Sequence, residues 1–325
     1  MDAARPDTYS ARNTWIAAGD DGTAKAGTDA ALLLYRSAAD SLIRHPAPHP
    51  VKESIMENST RFGRVLFGMG MLAFGVLNLT FATPVPGIEP LPAWLPAQTF
   101  WTYATGLLLV AAGICTLSDR LRPRQAAVGL GVLLFLWIAL LHVPAMLTHI
   151  HNGSVWTSAF ECFAMCCAAW VLADALSCRV ADEARNELIR PLAGLARYGF
   201  GISLPVFGAL HFIYWEYVAS VIPTWIPGSP VFWAYFTGGA HVTAGLAILS
   251  GVAARLASTL LGVMFSSWVL IVHVPRVLAR PQSHAEWTSL CVAIALSGGA
   301  WLMSGYFSRL VPKAGAMRPS ISPAS

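Results

Sequence analysis

The chain has 325 residues, of which 55% are hydrophobic and 12% are charged, about half the usual share of roughly 25% in soluble domains. This composition excludes disordered, fibrous and ordinary soluble proteins, and it indicates a polytopic protein embedded in a lipid bilayer. The net charge of +4 is small, no block of Lys and Arg is present, and no glycine-rich phosphate loop occurs. We therefore expect neither nucleic acid nor a nucleotide as a partner.

Long stretches without charge predict eight membrane-spanning helices. A helix needs about 20 apolar residues to cross the hydrocarbon core, and a helix satisfies its own backbone hydrogen bonds there. We therefore predict an all-α integral membrane protein. Division of the apolar stretches at their Pro- and Gly-rich breaks gives spans near 65–82, 100–117, 126–148, 155–177, 198–218, 231–250, 256–275 and 287–308.

The two ends of the chain are polar. We expect a disordered N-terminal extension over residues 1–60 and a disordered cytoplasmic tail over 309–325. Residues 1–55 lack the apolar core of a signal peptide. Met56 leads directly into the first span and is an alternative start of the native chain.

The basic residues predict the orientation. Arg and Lys are concentrated before the first span, after the even-numbered spans and in the tail. We expect the protein to lie in the inner membrane of the cell, and the positive-inside rule then places both termini in the cytoplasm. The cytoplasmic side then holds Arg61, Arg64, Arg120, Arg122, Arg124, Arg179, Arg185, Arg190, Arg197, Arg255, Arg309, Lys313 and Arg318, and the outer side holds Arg276 and Arg280.

The second half of the chain repeats the first with an offset of 131 to 133 residues. The matched segments are Phe74-Gly75-x-Leu77 with Phe207-Gly208-x-Leu210, Pro92-x-Trp94-x-Pro96 with Pro223-x-Trp225-x-Pro227, Phe100-Trp101-x-Tyr103-x-Thr105-Gly106 with Phe232-Trp233-x-Tyr235-x-Thr237-Gly238, and His142-Val143-Pro144 with His273-Val274-Pro275. So many ordered matches to Trp, Gly, Pro and His indicate a tandem duplication of a four-span unit.

An even number of spans gives both copies the same orientation. We therefore predict two fused four-helix bundles, built as parallel repeats that are related by an axis along the membrane normal. The first repeat covers 61–178, a cytoplasmic linker covers 179–197, and the second repeat covers 198–308. These two repeats are called the first half and the second half below.

The repeat unit resembles the DoxX-like membrane family, four-helix proteins related to the DoxD subunit of thiosulfate:quinone oxidoreductase. The resemblance rests on the motifs above and implies an inner-membrane protein that is accessory to quinone-linked redox or to thiol and sulfur homeostasis. It also implies a membrane or soluble redox partner, but it carries over no catalytic residues. A carrier for a small solute and a non-catalytic membrane assembly partner remain alternatives. Whether the chain is an enzyme stays open, because no soluble domain is large enough for catalysis without a cofactor or second subunit.

Polar side chains within the apolar spans are the candidates for a functional site. Ionisable groups are costly in lipid, so those that occur there mark function by default. The first half has Asn78 and Leu109 where the second has His211 and His241, which assigns any histidine chemistry to the second half. The candidate residues are His211, His241, His273, Asn78, His142, Glu161 and Glu216.

Three interpretations of the histidines stay open. They bind a quinone head group or relay its protons, because imidazole both donates and accepts near neutral pH. In the second interpretation they ligate haem or a metal ion, which we favour less than a quinone as the cofactor. Or each histidine hydrogen bonds to a neighbouring backbone carbonyl. The closely spaced Cys162, Cys166 and Cys167 are interpreted as small core residues.

Overall fold

The computed structural model describes residues 50–177 and 183–310, and every regular element within these ranges is helical. Residues 1–49 of the expected extension and residues 311–325 of the expected tail lie outside the described part. The helices are α1 (Pro50–Phe81), α2 (Gln98–Leu117), α3 (Pro123–Trp137), π1 (Ile138–His142), α4 (Val143–Thr148), α5 (Gly153–Ser177), α6 (Glu183–Ile213), α7 (Trp215–Val221), α8 (Pro230–Ser250), α9 (Ala254–Trp268), π2 (Val269–His273), α10 (Val274–Ala279) and α11 (His284–Leu310).

Within the described residues, six helical segments are long and apolar enough to cross a membrane. Large apolar side chains such as Leu107, Phe135 and Leu140 are more than half exposed on them, which is the arrangement expected of surfaces that face lipid. The chain is therefore an all-α, multi-pass membrane protein, as its composition predicts. The six segments are Asn58–Phe81, Gln98–Leu117, Pro123–Thr148, Gly153–Ser177, Ala254–Ala279 and His284–Leu310.

Two helices extend beyond the predicted spans. Helix α1 begins at Pro50, upstream of the span predicted from residue 65, and α6 begins at Glu183, inside the predicted linker 179–197. Charged residues end the segment that lies in lipid, but they do not end a helix, because Arg, Glu, Leu and Ala are all good helix formers. At its other end, the span predicted near 198–218 is interrupted after Ile213.

Each half contains one π-helical segment, and each precedes a Val-Pro pair. Pro144 and Pro275 lack the N–H that would continue the α-helical ladder, and their rings crowd the carbonyl four residues earlier. The helix accommodates the proline by widening over the five residues of π1 and of π2. His142 and His273 are the last residues of these segments, so the widened turn sets the direction of both side chains.

Helices α5 and α11 form the interior of the described structure, with 67% and 83% of their most apolar segments buried. Small residues bring their neighbours close. A methyl group at Gly298 of α11 would lie 2.4 Å from the backbone nitrogen of Phe67 in α1, and one at Gly199 of α6 would lie 2.6 Å from the Cys167 sulfur in α5. Close backbone approach through small residues is the usual mode of helix packing in membranes.

Arg64 links helix α1 to the C-terminal end of α2. Its guanidinium is 8% exposed and donates to the carbonyls of Thr116 and Ser118 at 2.6 and 2.7 Å, where α2 ends. It also forms an ion pair with Asp119 at 2.6 Å. A cation is favourable at a helix C-terminus, because the last carbonyls have no partner within the helix.

Candidate functional site

A pair of histidines lies between α6 and α8. The ring centroids of His211 and His241 are 4.8 Å apart, and His241 is 2% exposed. The Nδ1 atom of His211 is 2.8 Å from the carbonyl of Phe207, and that of His241 is 2.7 Å from the carbonyl of Thr237. A carbonyl oxygen only accepts, so each Nδ1 must donate its hydrogen. Each neutral imidazole therefore has its lone pair at Nε2.

Aromatic rings surround the histidine pair. Phe207 of α6 and Phe265 of α9 lie with their ring centroids 5.9 and 5.5 Å from that of His241. The Trp268 ring is stacked on His211 at 6.1 Å. The histidine pair thus lies among aromatic rings, and the second ring nitrogen of each histidine is not used by the neighbouring helix carbonyls.

His273 is half-buried at the end of π2, and its Nδ1 is buried without a hydrogen-bond partner among the described residues. It lies close to an ion pair rather than within the histidine pair. Arg276 donates two hydrogen bonds to the Glu286 carboxylate at 2.7 and 2.9 Å, and Arg280 donates a third at 3.1 Å. Glu286 is therefore anchored, whereas His273 retains an unused ring nitrogen.

The first half has a carboxyl and an amide in the corresponding region. Asn78 and Glu89 are 0% and 1% exposed, and the Asn78 amide nitrogen donates to Glu89 Oε2 at 2.7 Å and to Thr105 Oγ1 at 3.1 Å. Burial raises the pKa of the Glu89 carboxyl from 4.5 to about 7, against the opposing effect of the neighbouring Asn78 and Thr105 side chains. Glu89 thus titrates near neutral pH.

The loop between α1 and α2 is folded inward. Val85, Ile88 and Glu89 are each no more than 2% exposed, and His142 Nε2 donates to the carbonyl of Ile88 at 3.1 Å. This inserted segment, Val85–Glu89, is called the plug below. In the second half, the described segment 214–229 contains no buried residue. The two halves therefore differ in what occupies this region.

Two other predicted candidates lie apart from the histidine pair. Glu161 is half-buried on α5, next to Cys162, and Glu216 is exposed on the short helix α7. The buried thiols of Cys162 and Cys166 donate to the carbonyls of α3 at 3.7 and 3.3 Å. These cysteines have the contacts of packing residues.

The histidine geometry suits a hydrogen-bonded ligand better than haem. Axial haem ligation places the porphyrin and its iron between two imidazoles, but 4.8 Å is an ordinary contact distance between rings. Within residues 50–177 and 183–310, no group of three or more His, Cys, Asp and Glu side chains is placed to hold a metal ion.

Sequence reasoning missed Glu89 as a site residue. Glu89 is the one charged residue between Val65 and Ser118, which was a usable signal, but it falls in a predicted loop rather than in a span. Its burial depends on the folding of the plug against Asn78 and His142, and these two residues come from different helices.

Comparison of the chain with protein-family models, with curated proteins and with solved structures yields no match.

Proposed function

We propose that the chain is a DoxX-like protein of the inner membrane that supports quinone-linked redox or thiol homeostasis by binding a quinol at His211 and His241. The observation that carries this proposal is the pair of Nε2 lone pairs beside aromatic rings, because each Nδ1 is already hydrogen bonded to a helix carbonyl. A quinol offers what this site lacks, namely hydroxyl hydrogens on an apolar ring.

The chemistry assigned to the histidines is proton acceptance. Each Nε2 accepts a hydrogen bond from one hydroxyl of the bound quinol and is placed to receive its proton as a general base. The quinol supplies two electrons to a membrane or soluble redox partner. The aromatic rings of Phe265 and Trp268 beside His241 favour an aromatic ligand.

The plug of the first half gives independent support. There, Asn78 and His142 hold the protein's own loop through Glu89 and the Ile88 carbonyl. The sequence repeat places His211 and His273 at the positions of Asn78 and His142. Segment 214–229 of the second half contains no buried residue, so no plug occupies the corresponding region there. We propose that a ligand binds in place of the plug at the positions of the second half that correspond to Asn78 and His142.

For the architecture we propose eight spans in two parallel repeats, with α6 and α8 as the two additional crossings and both termini in the cytoplasm. The equivalent positions of π1 and π2 support the repeat. So does the packing across the halves, in which α1 meets α11 and α5 meets α6 through glycines. Topology reporters fused after residue 190 should be active in the cytoplasm, and activity outside the cell would overturn this arrangement.

The functional test is to purify the full chain in mild detergent and measure copurified quinone and binding of a quinol analogue. His211→Ala and His241→Ala should each reduce binding strongly. His142→Ala, which removes a histidine of the first half, and His151→Ala, in an exposed outer loop, should retain it.

An equal loss in all four variants would contradict the assignment to the second half. Absence of quinol binding, together with uptake of a solute by proteoliposomes without a redox partner, would favour the carrier. Copurification of a soluble enzyme without either activity would favour the assembly partner.

A further inference from the structure

The cluster of Asn78, Glu89 and Thr105 contains oxygen atoms that lack a hydrogen-bond donor. Asn78 donates through its amide nitrogen to both Glu89 and Thr105. The Thr105 hydroxyl lies 2.8 Å from the carbonyl of Trp101, to which it donates. The two remaining oxygens, Asn78 Oδ1 and Glu89 Oε1, are buried and have no hydrogen-bond partner.

An unpaired buried acceptor is unfavourable, and two in one cluster require an explanation. Both oxygens belong to side chains that are no more than 1% exposed, so bulk solvent does not reach them. The cluster contains more acceptor oxygens than hydrogens. One additional hydrogen on the Glu89 carboxyl would supply a donor to this cluster.

Among the described residues, no cation compensates the Glu89 carboxyl. The groups that shift its titration are burial, Asn78 and Thr105, and no charged side chain is among them. The titratable neighbours of the surrounding loop are His142, which donates to the Ile88 carbonyl, and His284, which hydrogen bonds to Thr83. An ionised carboxylate that is buried without a counterion is strongly disfavoured.

We propose that Glu89 is a proton-binding site whose occupancy holds the plug in the first half. The protonated carboxyl is neutral, and it is retained by Asn78 inside the apolar region. Loss of the proton leaves a buried charge, and the plug then moves outward so that the carboxylate reaches water. The pKa of about 7 for Glu89 places this exchange near neutral pH. This proposal is independent of quinol binding by His211 and His241.

The first test measures the proton itself. Dicyclohexylcarbodiimide reacts with protonated carboxyls that are reached from an apolar phase, and the adduct on the Glu89 peptide is quantified by mass spectrometry on the full chain. Labelling should fall about tenfold for each pH unit above about 7, and Glu89→Gln should abolish it. The exposed Glu216 gives the background labelling of a carboxyl that does not lie in an apolar region. Labelling of Glu89 that is already lost well below neutral pH would overturn the proposal.

The second test measures the movement of the plug. Val85→Cys introduces a thiol at a position that is 1% exposed, and Ala93→Cys introduces one at an exposed position of the same loop. The ratio of maleimide labelling at position 85 to that at position 93 cancels the pH dependence of the reagent. The ratio should rise about tenfold from about pH 6 to about pH 8, as the ionised fraction does.

Glu89→Gln, which keeps the shape of the carboxyl without its charge, should make the labelling ratio independent of pH. A ratio that does not change with pH in the parent chain, or one that changes equally in Glu89→Gln, would show that Glu89 does not control the plug.

Discussion

The contact between α1 and α11 allows a sharp prediction for Gly298→Ala. The added methyl carbon would lie 2.4 Å from the Phe67 backbone nitrogen and 2.8 Å from the Gly63 carbonyl oxygen. Backbone atoms cannot swing aside as a flexible side chain does, so the two helices must separate by about 1 Å to restore van der Waals contact. Gly63 and Gly70 belong to the same interface, where an added Cβ would lie 2.7 and 2.8 Å from atoms of α11, and they would lose packing as well.

The expected magnitude follows from two opposing effects. Overpacking of a tight interface costs about 1–3 kcal/mol, whereas Ala in place of Gly within a helix contributes up to about 1 kcal/mol. We therefore expect Gly298→Ala to lower the free energy of unfolding by about 1–2 kcal/mol. The matched control is Gly239→Ala in α8, where an added methyl group meets nothing within 4 Å and only the helix-forming contribution remains.

The assay is thermal unfolding of the purified full chain in one detergent, followed by tryptophan fluorescence. Gly298→Ala should lower Tm by a few degrees, and Gly239→Ala should leave it unchanged or raise it slightly. If both variants shift Tm equally, or if Gly298→Ala is the more stable of the two, the close approach of α1 and α11 is refuted.

Two further predictions concern buried carboxyls. The pKa of Glu89 rises from 4.5 in the unfolded chain to about 7 in the folded chain, so its contribution to stability is fully present below about pH 4.5 and is lost as pH rises through about 7. At 1.36 kcal/mol per pKa unit the loss amounts to about 3 kcal/mol, and Glu89→Gln should remove this part of the pH dependence of Tm. Glu286→Gln weakens the Arg276 pair, whose side chains are 31% and 7% exposed, and should cost about 1–3 kcal/mol in chemical unfolding. Arg280→Gln, at a side chain that is 71% exposed, is the control and should cost less than about 1 kcal/mol; equal effects of the two variants would contradict the anchoring role of Glu286.

The positions of the helices were largely predictable from the sequence, because the cost of charge in lipid leaves long uncharged stretches. The helix ends were less predictable. Glu183 and Arg190 lie in the part of α6 that was predicted as a linker, since charge indicates where lipid ends rather than where a helix ends. No proline or glycine lies at the interruption after Ile213, so the sequence does not indicate this helix end.

The candidate site was predictable only in part. The histidines were singled out because polar groups in spans are rare, and the structure brings His211 and His241 together. Hydrogen bonds from the histidines to neighbouring carbonyls were one of the predicted interpretations, but the close approach of the two rings depends on how α6 packs against α8. The burial of Glu89 depends on contacts from three helices and a loop, and such contacts cannot be predicted from the local sequence.

The π segments also have a consequence for the evolution of the chain. A π turn is an α-helix that has accepted one extra residue, and that residue rotates everything beyond it by about 100° around the helix axis. Under the proposed duplication, the presence of π1 and π2 at equivalent positions means that the insertion was already fixed in the ancestral unit. Removal of Leu140 should therefore take out the extra residue and turn His142 away from the Ile88 carbonyl, while Pro144 still interrupts the α-helical hydrogen bonds.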